Sequence, residues 1–130
     1  MADRKIFEEW LIRAEEDFDF ASSSMVNSFS FFGQICFHFQ QSAEKHLKAY
    51  IVAFDLEFKK IHELPELLEI CGRHNPVFYD LKGDCIFLTD FYVVTRYPVP
   101  WPAKISRFDV ETARESAKKI GKLVKTFLKR

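Results

Sequence analysis

Between Phe31 and Phe54 the chain carries Phe32, Ile35, Phe39, Ala43, His46, Tyr50 and Phe54 at offsets of three and four, the repeat of one helical stripe. Cys36, Leu47 and Ile51 widen that stripe beyond the arc of an ordinary surface helix. The pattern therefore predicts a central helix over Phe31–Phe54, covered on several sides. On its remaining side His38, Gln41, Glu44, Lys45 and Lys48 fall on one narrow polar face. Such a polar strip on a largely covered helix is the first place to seek function.

The same repeat predicts four further helices. Ile6, Phe7, Trp10, Leu11, Ala14, Phe18, Ala21 and Met25 mark a helix from about Asp3 to Val26, which frays at the poor helix formers Ser22, Ser23, Ser24, Asn27 and Ser28. Its short connection to the central helix makes the two antiparallel neighbours. Asp55 to Ile61 breaks the pattern as a loop. A shorter helix from His62 to Arg73 carries Leu64, Leu67, Leu68 and Cys71 inward, with Gly72 and Asn75-Pro76 as its stop. A fourth helix is expected over Val77 to Thr95, using Phe78, Leu81, Cys85, Leu88, Phe91 or Tyr92, and Val94. Tyr97-Pro98-Val99-Pro100-Trp101-Pro102 cannot be helical, because alternate prolines remove backbone donors. The last helix is expected to start at Asp109 as N-cap, with Val110, Ala113, Ala117, Ile120, Val124 and Phe127 inward. Acids come early and lysines late in it, as the helix dipole favours. No stretch alternates with period two. The fold class is all-α, an antiparallel up-and-down bundle of four long helices and one short one, forming a single domain over residues 1–130.

Composition narrows the function. A chain of 130 residues, 48% hydrophobic and 29% charged, suits one soluble domain. Its formal net charge of zero gives no general attraction to DNA or to a membrane surface. The charged amino terminus lacks a signal-peptide core, and no apolar run approaches the ~20 residues of a membrane span. Three cysteines in no paired spacing read as reduced thiols of a cytoplasmic protein. Fifteen phenylalanines are a surplus for so small a core, and together with the broadly apolar central helix they point to a homodimer.

Few motifs carry chemistry. His62-Glu63-Leu64 lacks the second histidine of a zinc-protease helix, and His38 and His46 do not converge, so no metal site is expected. No phosphate-binding or dinucleotide glycine motif is present, and no cofactor is expected. His38, Gln41, Lys45 and Lys48 on the polar face, with Arg96 and Tyr97 before the proline segment, are the candidate phosphate- or nucleotide-binding residues. The alternative for the polar face is a Glu44–Lys48 pair on a solvated surface.

Gln40-Gln41-Ser42-Ala43-Glu44-Lys45-His46-Leu47-Lys48-Ala49 resembles the central-helix signature of the HEPN domain (higher eukaryotes and prokaryotes nucleotide-binding). His62-Glu63-Leu64 is similar to that family's H-x-L segment, and Thr95-Arg96-Tyr97-Pro98 with the last helix continues the likeness. Glu44, His62, Leu64 and Pro98 are thus motif positions. The resemblance implies a homodimeric helical bundle that binds a nucleotide, or a minimal nucleotidyltransferase partner in a toxin–antitoxin-like pair. Many relatives are metal-independent ribonucleases with an arginine and a histidine separated by four to six residues. None of His38, His46, His62 and His74 has an arginine at that spacing before it. The expectation is therefore a non-catalytic binding protein. The alternative is a degenerate ribonuclease, its site built across the dimer from Arg96 and a histidine such as His38 or His62.

Overall fold

The computed structural model describes residues 4–27, 30–94 and 104–128. It is an all-α bundle, as the periodicity predicts, with no strand among the described residues. In chain order the helices are α1 (Arg4–Asn27), α2 (Phe32–Ala53), α3 (Leu64–His74), a 3-10 segment (Pro76–Leu81) running into α4 (Lys82–Thr89), α5 (Phe91–Val94) and α6 (Arg107–Phe127). Helix α2 is the hub. It packs along α1 and α6 and also meets α3, α4 and α5. Ile35, Cys36, Phe39, Ala43, Leu47, Tyr50 and Ile51 are all buried on it. Each large side chain among them contributes roughly 1.5–3 kcal/mol by leaving water.

Helix α2 ends in a Schellman motif. The Leu56 N–H reaches back to the Ile51 carbonyl and the Asp55 N–H to that of Val52, while Asp55 takes the left-handed conformation at φ 58°. That sharp exit aims the segment ahead of α3 back across α1 and α2.

Four local expectations are corrected. The fourth helix is segmented rather than continuous: Pro76 at its start and the Asn75 carboxamide, which accepts from the Val77 N–H, set up a 3-10 turn. Its inward residues Phe78, Leu81, Cys85, Leu88 and Phe91 are buried nonetheless. Gly72 does not stop α3, which runs on to His74. A Cβ at Gly72 would come within 2.5 Å of the Tyr79 ring, so the glycine is there to let that ring close over the helix. Asp109 is not the N-cap of α6. Ser106 caps it, and Asp109 returns the bond from the third helical position in a reciprocal capping box. Ile6, placed on the inner face of α1, is exposed.

Among the described residues the aromatic surplus divides between core and surface. Tyr50, Phe54, Phe78 and Phe127 form one cluster, into which His74 donates or accepts a 2.6 Å bond with the Tyr50 hydroxyl. Other rings stay outside the core, with Phe20, Phe31 and Phe108 exposed.

Candidate functional site

The polar face of α2 is covered rather than solvated. Lys45 and His38 turn toward α1, where both meet Asp17, the lysine at 2.5 Å and the His38 Nδ1 at 3.1 Å. Glu44 collects the rest. Its carboxylate accepts from Lys48 Nζ at 2.9 Å, Gln40 Nε2 at 3.2 Å, Gln41 Nε2 at 3.4 Å and His62 Nδ1 at 3.0 Å. The predicted strip is thus two clusters, each centred on a carboxylate, and neither lysine presents an unpaired charge.

Burial makes the Glu44 cluster unusual. Glu44 is 3% exposed and Lys48 5%. A buried charge is retained only where it is paired and hydrogen-bonded. Lys48 also stands 5.7 Å from the centroids of both Trp10 and Phe58, which close over it from α1 and from the α2–α3 connection. The Glu44–Lys48 pair expected on a solvated surface therefore exists, but inside the bundle.

His62 is the member of the cluster most open to water, with Gln41 half-buried beside it. The His62 side chain is 45% exposed. A carboxylate only accepts, so His62 donates through Nδ1 and carries its other ring nitrogen, Nε2, away from Glu44. Its backbone carbonyl accepts from Gln40 Nε2 at 3.2 Å. Its ring lies parallel to that of Tyr92, with centroids 4.3 Å apart and planes 13° apart. Two residues on, the Leu64 N–H donates to the Thr89 hydroxyl at 3.0 Å, which fixes the start of α3 against α4. His62 sits on a connecting segment, yet its backbone, its ring edge and its ring face are all held.

Of the candidate binding residues, the structure brings Gln41, Glu44, Lys48 and His62 together, and puts His38 with Lys45 on Asp17. Leu64 is buried beneath them. Arg96, Tyr97 and Pro98 lie outside the described residues. Gln40, Asp17, Trp10, Phe58 and Tyr92 are the participants that the sequence did not single out. Gln40 alone had a usable signal, standing one turn before Glu44 on α2. No cluster of three metal-ligating side chains occurs among the described residues.

A helical bundle with a buried glutamate–lysine pair on its central helix, anchoring a histidine just before the third helix, defines a class of small α-helical domain. The family model described as the HEPN domain matches residues 7–127, and this chain belongs to that family. The crystal structure of TT1696 from Thermus thermophilus is similar at a TM-score of 0.82 and 28% identity, over 92% of this chain and 96% of that one. The crystal structure of ST0689, described as an archaeal HEPN homologue, is similar at 0.76 and 26% identity, over 95% and 98%. No curated protein sequence matches.

Proposed function

We propose that this chain is a homodimeric, nucleotide-binding HEPN module that works beside a nucleotidyltransferase partner. The ligand would dock where His62 stands over Tyr92. The observation that carries this reading is the holding of His62: an exposed imidazole, fixed through Nδ1 by a buried carboxylate and through its face by Tyr92, with Nε2 directed away from the protein anchor. When protonated, Nε2–H donates to a phosphate oxygen, and charge-assisted bonds of this kind contribute roughly 1.5–3 kcal/mol each. Arg96 and Tyr97 follow Tyr92 by four and five residues and would supply a guanidinium and a second ring. A base stacked on an aromatic face adds ~1–3 kcal/mol. Lys45 and Lys48, already paired, hold the scaffold and set its charge rather than grip the ligand.

Calorimetric titration of ATP, GTP and a dinucleotide tests the reading, with His62→Ala and a Lys45→Ala/Arg96→Ala double variant as controls. Micromolar to millimolar binding lost in His62→Ala supports it. No heat from any of them, or equal binding by both variants, overturns it. Homodimerisation rests on the exposed Ile6, Ile12, Phe20 and Val26 of α1. Light scattering behind a sizing column should give twice 15.4 kDa, and a monomer would refute it. The buried free thiols of Cys36, Cys71 and Cys85 suit a reducing cytoplasm.

The same geometry favours a second reading, the degenerate ribonuclease. A carboxylate that orients an imidazole and leaves Nε2 outward is the arrangement a general base requires. Cleavage of mixed RNA in chelator, abolished in His62→Ala, would replace the binding module with this enzyme.

A further inference from the structure

A second polar feature lies on the other side of α2, outside the reading just given. His46 is two residues beyond Glu44, about 200° further round the helix, and faces α6 instead of the α2–α3 connection. Its ring is 2% exposed and rests against Gly121, where a Cβ would come within 2.8 Å of Cε1. Nδ1 is 3.0 Å from the Ser42 carbonyl, which can only accept, so Nδ1 holds a proton, and the ring in its neutral form presents a lone pair at Nε2. That Nε2 is buried with no hydrogen-bond partner among the described residues. Buried polar atoms are nearly always satisfied, so an orphan of this kind calls for an occupant.

The ring lines a cleft of about 490 Å³ between α1 and α6. Across it from Nε2, 3.9 Å away and beyond hydrogen-bond reach, stands a Glu15 carboxylate oxygen, which is bonded to Lys125 at 2.7 Å. The facing imidazole and then Lys125 hold the Glu15 carboxyl down to about 2, against its partial burial. The imidazole's share of that effect requires a proton on Nε2, whereas Lys125 keeps the group ionised in either case. On the α6 side the rim carries Lys118 and Lys122, one turn apart, exposed, with no ion-pair partner among the described residues. Phe18 and Ala117 supply apolar wall between. The cleft therefore sets acceptors at its floor, a lone pair beside a carboxylate, and at its solvent-exposed lining the two unpaired lysines together with one carboxylate, Asp19.

From this juxtaposition we infer that the cleft is a binding site for a protonated phosphate group, either the free ion or a phosphomonoester. One P–OH donates to His46 Nε2 or to Glu15, and the ionised oxygens accept from Lys118 and Lys122. An anion without a proton meets a lone pair and a carboxylate at the floor and is rejected. A neutral donor leaves the two lysines unanswered. The site therefore selects phosphate over sulfate, which matches it in size and shape but carries no proton near neutral pH. The volume exceeds that of a bare phosphate and leaves space over Phe18 and Ala117 for an organic substituent.

The test is a titration at neutral pH of the intact protein, observed through the imidazole nitrogen resonances of ¹⁵N-labelled histidine, with His46 assigned by His46→Gln. Inorganic phosphate, glycerol phosphate and sulfate are compared at matched ionic strength. The expected start is an Nδ1–H tautomer for His46. Inorganic phosphate should then shift its Nε2 resonance saturably while sulfate leaves it in place. Lys118→Ala/Lys122→Ala, both surface changes, should weaken phosphate binding about a hundredfold or more, the equivalent of losing two charge-assisted bonds. Tighter binding of glycerol phosphate identifies an organic phosphate as the ligand, and tighter binding of the inorganic ion identifies the free anion. An Nε2–H tautomer, an equal response to sulfate, no saturable shift, or undiminished binding in the lysine variant would each overturn the assignment.

Discussion

Replacing Glu44 with glutamine removes one charge and almost no volume, and tests whether the buried cluster is a coupled unit. The amide keeps a single acceptor oxygen where the carboxylate offered two to Lys48, Gln40, Gln41 and His62. Its NH₂ also faces the atoms that donate to the carboxylate, the Lys48 ammonium above all, which can only donate. Lys48, 5% exposed, is left as a buried ammonium without a counter-charge. Breaking a buried pair from one side costs about 3–5 kcal/mol. The Trp10 and Phe58 rings flank Lys48 before and after the change, so they leave this difference in place. At the lower end of that range the expected loss is about 3 kcal/mol, a large share of the ~5–15 kcal/mol that holds a small domain together. At a urea slope of about 2 kcal/mol/M the midpoint falls by about 1.5 M. The companion variant Glu44→Leu/Lys48→Met removes both charges, and should recover most or all of that loss. Urea unfolding followed by far-ultraviolet circular dichroism measures both. A Glu44→Gln cost below about 1 kcal/mol, or a double variant no better than the sum of its two single changes, would show that the pair is not coupled.

Three further outcomes follow from other parts of the bundle. Gly121→Ala places a methyl 2.8 Å from His46 Cε1 and should lower stability by about 1–3 kcal/mol through overpacking, read as a fall in melting temperature. Burial raises the thiols of Cys36 and Cys85 to about 12 and that of Cys71 still higher, so a neutral-pH disulfide reagent should label none of them until urea unfolds the chain. Glu15 has its folded pKa below the ordinary 4.5, so its contribution to stability is full above about 4.5 and is lost as pH falls through about 2. The facing His46 imidazole and then Lys125 hold it there, and the Lys125 pair is largely solvated, which limits its share to ~0.2–1 kcal/mol. Lys125→Ala should therefore lower stability near neutral pH and flatten the acid limb, and an unchanged acid limb would contradict the assignment.

The helices were legible wherever one face repeats without interruption. The apolar repeats on α2 and α6 are strong enough that each bound of α2 shifts by one residue and the N-cap of α6 by three between expectation and structure. The fourth helix was not legible as two α-helical pieces and a 3-10 turn, because its apolar spacing survives the segmentation and periodicity reads spacing alone. The Ser106-x-x-Asp109 box was readable and shows that an acid can sit inside the first turn as well as before it. The site divides differently. Spacing put His38, Gln41, Glu44, Lys45 and Lys48 on one face, but whether a face is wet or covered depends on what folds over it. Here the cover comes from Asp17 and Trp10 on α1 and from Phe58 and His62 on the connecting segment, 14 and 18 residues beyond Glu44 for the last two. No local pattern holds that information. The H-x-L likeness marked His62 as a motif position, and only the geometry shows that its ring is bound to Glu44.

The central claim is that His62, held by Glu44 and Tyr92, is the contact point for a nucleotide ligand. The most direct measurement follows the His62 ring resonances in ¹⁵N-histidine-labelled protein while a dinucleotide is added. Its phosphodiester has no P–OH, which separates this site from the cleft beside His46. A saturable shift at His62, lost in Glu44→Leu/Lys48→Met while that variant stays folded, is the result the account predicts. Resonances of His62 that stay fixed while the dinucleotide binds elsewhere, or no binding at millimolar concentration, would contradict it.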